Sequence, residues 1–113
     1  MRFACLRLNS RRLWGIIFLE REVAFVTRWH VIFSGRVQHV GFRYTAYYFT
    51  RDLYLTGWVN NRSDGTVEME VQGGPLQLQR LLSRLKGQFD IDRAEVTKID
   101  PVPHERGFRV RGY

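Results

Sequence analysis

From residue 27 onward, apolar and polar positions follow two clean periods. Thr27 to Val37 predicts a strand with Val31 and Phe33 on one face. Tyr44 to Leu55 predicts a helix, since Ala46, Phe49, Thr50 and Leu53 recur at three- and four-residue spacing, and Gly57 stands past its end as a C-terminal glycine. Gly57–Arg62 and Thr66–Gly73 predict two strands around the turn residues Asn61-Arg62-Ser63-Asp64-Gly65. The second alternates strictly, with Val67, Met69 and Val71 opposite Glu68, Glu70 and Gln72. Gly73-Gly74-Pro75 opens a second helix with an apolar stripe of Leu78, Leu81, Leu82 and Leu85, and Gly87 closes it. Arg93–Ile99 predicts a strand with Ala94 and Val96 inward. Pro101-Val102-Pro103 is a stiff connection, and Phe108–Tyr113 is a last short strand. The order β-α-β-β-α-β defines an α+β, ferredoxin-like sandwich: an antiparallel sheet with two helices on one face.

Residues 1–26 lack this regularity. They are arginine-rich, with an apolar patch at Trp14 and Ile16–Leu19, and read as a poorly ordered N-terminal extension ahead of a domain over 27–113. Val26 is an alternative initiator. The run Leu13–Leu19 is too short to span a bilayer, and Glu20-Arg21-Glu22 follows it in place of a cleavage site, which argues against a signal peptide. The single cysteine, Cys5, cannot form an internal disulfide and favours a reducing, cytoplasmic setting.

The net charge of +7 invites a nucleic-acid reading, but its distribution weakens it. Residues 1–30 hold six arginines and two glutamates, or +4; residues 31–113 hold twelve basic and nine acidic residues, or +3. The remaining charge suffices to steer a small anionic substrate. One cysteine and three scattered histidines (His30, His39, His104) lack metal-ligand spacing, so no metal is expected.

The candidate chemistry lies in Gly35-Arg36-Val37-Gln38-His39-Val40-Gly41-Phe42-Arg43. A strand ends there in a loop flanked by glycines, and an arginine stands where a helix begins. Backbone N–H groups, a helix N-terminus and a guanidinium thus meet around one small volume suited to a phosphate dianion. Arg43 opposes the helix macrodipole, which a shared anion explains. Gly57-Trp58-Val59-Asn60-Asn61 adds carboxamides able to hold a water. Asn61 alone reads more readily as a turn residue, and only its pairing with Arg43 turns the balance toward chemistry. His39 reads as an exposed loop residue, Trp58 as packing.

These two segments resemble the signatures of the acylphosphatase family, and the resemblance runs from residue 28 to 113. Asp64-Gly65-Thr66-Val67, Gly73 and the closing Phe108-Arg109-Val110-Arg111-Gly112-Tyr113 are similar to the family's pattern as well. The resemblance implies a cofactor-free enzyme that hydrolyses the carboxyl–phosphate bond of small acyl phosphates. It implies Arg43 and Asn61 as the catalytic pair, with phosphate received by the amides of Val37, Gln38, His39, Val40, Gly41 and Phe42. His39 departs from the pattern, where glycine is frequent; a positive φ there strains a histidine less than most residues. The expected enzyme is a monomer with neither nucleic-acid nor membrane partners. The alternative is a non-catalytic ferredoxin-like module binding nucleic acid or a phosphate ligand. RNA-recognition domains share the element order but stack bases on central-strand aromatics, where this chain has Glu68 and Glu70.

Overall fold

A computed structural model describes residues 26–112; the expected extension, apart from Val26, and Tyr113 lie outside the described residues. Strand β1 (Thr27–Arg36) leads through the glycine-flanked loop into helix α1 (Phe42–Asp52). Strands β2 (Thr56–Asn61) and β3 (Val67–Gly73) form the hairpin, helix α2 (Pro75–Gln88) returns, and β4 (Asp90–Ile99) and β5 (Phe108–Arg111) complete the sheet. The strand order is β4-β1-β3-β2-β5. All neighbours are antiparallel except β5, which adds to the ferredoxin-like core parallel to β2, with Trp58 beside Arg109 and Asn60 beside Arg111.

One pleat of the sheet supplies the core. Val31, Phe33, Val59, Val67, Met69 and Val71 are fully buried with Ala46 of α1 and Leu78, Leu81 and Leu85 of α2. Burial of these side chains in close contact supplies most of the driving force for this layer. Val96 lies opposite Val31 as the alternation requires. It is nonetheless 42% exposed, because β4 is the edge of the sheet.

Both helix ends depart from the expected boundaries. Helix α1 starts two residues early because Gly41, in the left-handed region at φ 82, serves as its N-cap. It also stops before Gly57. Tyr54, at φ 57, takes the left-handed position after the last turn; its amide donates to the Arg51 carbonyl (3.2 Å) and that of Leu55 to Thr50 (2.9 Å). This is the paired-bond helix stop usually built on glycine. Gly57 instead lies within β2 against β3, where an added Cβ would stand 1.9 Å from the Glu70 carbonyl oxygen. Gly87 is likewise inside the last turn of α2, whose cap is Phe89 in an extended conformation.

The face of the sheet turned away from the helices carries the polar alternates. Arg28, only 2% exposed, sits there under the 100–107 connection. Its Nε donates to Glu70 (2.9 Å), and its two terminal nitrogens donate to the Glu105 carboxylate (2.8 and 3.2 Å). Thr56 Oγ1 donates to the same carboxylate at 2.7 Å. Burial opposes the charge on Glu105, but the bonds from Arg28 and Thr56 outweigh it and hold the carboxyl below its ordinary pKa. The Gln72 side chain pins the same connection, accepting from the Val102 amide (2.8 Å) and donating to its carbonyl (3.1 Å). In the neighbouring row His30 Nε2 lies 2.7 Å from Glu68.

Candidate active site

The loop between β1 and α1 leaves a set of donors unmet. The Val37 amide donates to Gly35 (3.0 Å), and the Thr45 amide is the first taken into the helix, by the Gly41 carbonyl (3.1 Å). Between them, among the described residues, the amides of Gln38, His39, Val40 and Gly41 donate to no protein acceptor. No side chain caps α1, and its first turn contains no acid. The first-turn amides of any helix lack intrahelical partners and carry a partial positive charge. Four loop amides without a protein acceptor therefore run directly into an uncapped helix start, one donor-rich stretch of backbone.

Backbone conformation makes the loop possible. His39 has φ 63 and Gly41 φ 82, two left-handed positions within three residues, the kind of backbone alternation that builds anion-binding nests. Gln38 fixes the loop to the hairpin: its Nε2 donates to the carbonyls of Arg62 (2.7 Å) and Thr66 (2.8 Å), on either side of the β2–β3 turn. Within that turn the Asp64 carboxylate accepts from the Thr66 hydroxyl (2.6 Å) and amide (3.0 Å) and titrates below its usual value.

Arg43 and Asn61 come together here. Both line one hollow of about 240 Å³, with Val37, His39, Gly41, Phe42 and Tyr44 as its other walls. Arg43 donates from a terminal nitrogen to the Arg111 carbonyl of β5 at 2.6 Å. Asn61, at the end of β2, has its Oδ1 buried with no hydrogen-bond partner among the described residues. A buried amide oxygen left unpaired costs about 1–3 kcal/mol, and such an atom calls for a functional explanation.

Gln38 and Val40 are not among the walls of this hollow. Gln38 uses its side chain as the strap just described, and Val40 faces a second hollow with Arg36, Thr45, Gln88, Phe89 and Asp90. The sequence reading also missed three contributors. Tyr44 forms a wall. The Arg111 carbonyl orients Arg43, and Gly112, at φ 83, lies so close that an added Cβ would stand 3.1 Å from the Arg43 guanidinium. The glycine ending the closing strand was the visible signal for the last.

The family model described as Acylphosphatase matches residues 29–110. An acylphosphatase of Geobacillus thermodenitrificans is 42% identical over 86 residues, 74% of this chain and 92% of the relative. Among solved structures, an acylphosphatase from Coxiella burnetii superposes with a TM-score of 0.74 at 32% identity, covering 80% of this chain and 98% of its own. The Bacillus subtilis acylphosphatase gives 0.71 at 31%, covering 76% and 99%. The chain belongs to the acylphosphatase family. It is an enzyme, a small hydrolase on a ferredoxin-like frame. No helix among the described residues is long and apolar enough to cross a membrane.

Proposed function

We propose that the protein hydrolyses small acyl phosphates to a carboxylate and inorganic phosphate, with Arg43 and Asn61 as its catalytic pair. The leaving carboxylate has a conjugate acid of pKa about 4, so it departs without a proton donor. The transition state is loose, with charge spread over the phosphoryl oxygens, so catalysis consists of positioning and neutralisation. The loop amides and the start of α1 receive the phosphoryl oxygens. Arg43 grips two of them with its planar fork, a geometry lysine lacks. Asn61 Oδ1 accepts a hydrogen bond from the attacking water and aims its lone pair at phosphorus. As the new P–O bond forms, the bond to the carboxyl oxygen breaks, and the water's proton passes to a phosphoryl oxygen.

The observation that carries this reading is the pairing of opposite deficits around one hollow: its walls include His39 and Gly41, whose amides have no acceptor, and Asn61, whose amide oxygen has no donor. A phosphate and a water together satisfy both.

The test is steady-state hydrolysis of benzoyl phosphate. Arg43→Ala is expected to lower kcat by about a thousandfold or more and to weaken inhibition by inorganic phosphate. Asn61→Ala is expected to lower kcat by about a hundredfold or more with phosphate inhibition retained, because it holds the water and not the anion. Circular dichroism of both variants should match the wild type. Folded wild-type protein that turned over neither acetyl nor benzoyl phosphate would overturn the assignment.

A further inference from the structure

A larger concavity lies on the other side of the sheet. It measures about 440 Å³ and opens between the β2–β5 edge and the 100–107 connection, walled by Trp58, His104, Glu105, Arg106, Arg109 and Arg111. Its volume falls in the range of about 300–1,000 Å³ typical of small-molecule sites. The walls are held by the buried Arg28–Glu105 pair and by Gln72, so the shape is preformed.

The charge of this cleft is one-sided. Its single carboxylate, Glu105, is consumed by Arg28 and Thr56, and Glu70 beside Trp58 is consumed by Arg28 as well. Among the described residues no carboxylate lies within ion-pair distance of Arg106, Arg109 or Arg111, and Arg109 acts on Glu105 only at longer range, helping to lower its pKa. The Arg111 guanidinium instead lies over the Trp58 ring, 4.4 Å from its centre. Three guanidiniums around one hollow repel one another unless an anion lies between them, and a concave wall concentrates their field. Each fork matches a phosphate oxygen pair, and three forks spread over this volume match a chain of phosphates better than a single one.

We propose that this cleft is a second anion site, separate from the catalytic hollow, that binds a small oligophosphate. The phosphate chain sits across Arg106, Arg109 and Arg111. Two sources carry that chemistry, a free polyphosphate and a nucleoside triphosphate, whose base would stack against the Arg111–Trp58 pair.

Isothermal titration of the full chain with inorganic tripolyphosphate and with ATP tests it. Saturable one-to-one binding is expected. The Arg106→Gln, Arg109→Gln double variant is expected to weaken it by at least about tenfold while hydrolysing benzoyl phosphate at the wild-type rate. Arg43→Ala is expected to leave it unchanged. If ATP binds more tightly than tripolyphosphate and Trp58→Phe removes only that advantage, the nucleotide is the better-matched source; equal binding assigns the site to the phosphates alone. Absence of saturable binding, or binding lost with Arg43→Ala and kept in the double variant, would overturn the proposal. Because the readout is binding, a failure of acyl phosphate hydrolysis with this binding intact would remove only the function proposed above.

Discussion

His39 shows how a single backbone angle was readable as a risk. The sequence marks it as a histidine where the family often has glycine, and the chain indeed reverses there, at φ 63. Histidine enters this region at lower cost than most residues, so the loop keeps its shape. Gly112 is the opposite case, a residue whose importance becomes visible only in three dimensions. At φ 83, with the Arg43 guanidinium 3.1 Å from where a Cβ would be, it leaves just enough space for the bond from Arg43 to the Arg111 carbonyl. Gly112→Ala is therefore expected to cost only about 1 kcal/mol of stability through the left-handed angle, yet to lower kcat/KM by about tenfold or more by displacing Arg43. Urea unfolding and benzoyl phosphate kinetics on the same preparation separate the two effects. The meeting of Arg43 and Asn61 in one hollow was legible because each ends a motif with a side chain suited to the proposed chemistry. The carbonyl of Arg111 was not, because a backbone oxygen has no residue identity to read.

Among the elements, the strands and the faces of both helices followed from their periods, and the helix ends did not. Leu78, Leu81 and Leu85 are buried as their spacing requires, with Leu82 at the margin of the core. Gly57 and Gly87 were natural stop signals, but the chain spends Gly57 on a close strand crossing and keeps Gly87 inside α2. The stop of α1 falls on Tyr54, which is 91% exposed and gains no packing in return for its left-handed angle. Tyr54→Gly is expected to raise stability by about 0.5–1 kcal/mol, measured by thermal or urea unfolding, with no change in turnover. The parallel placement of β5 is a further fact of pairing that local patterns do not encode.

At the scale of the molecule, Arg28 ties together segments distant in the chain. It joins β1 to Glu70 on β3 and, 77 positions away, to Glu105 in the 100–107 connection. Since the Glu105 carboxyl titrates below its ordinary value in the folded state, its contribution is complete above the unfolded pKa of about 4.3. That contribution is lost as pH falls through the lowered folded value. Glu105→Gln is expected to cost about 1.5–3 kcal/mol at pH 7, with the gap from wild type narrowing as the pH drops toward 3. Urea unfolding across that range measures it. Buried polar ties of this kind are hard to foresee from sequence, because Arg28, Glu70 and Glu105 each look like ordinary surface charges until the connection folds over them.

The strap from Gln38 to both shoulders of the β2–β3 turn has a consequence for how this end of the molecule comes apart. These two bonds tie the 37–41 loop to the turn that follows the asparagine-bearing strand, so separating the loop from the hairpin breaks both at once. The two halves of the hollow are therefore expected to open together on warming, so that turnover and the order of this end of the molecule disappear in one step.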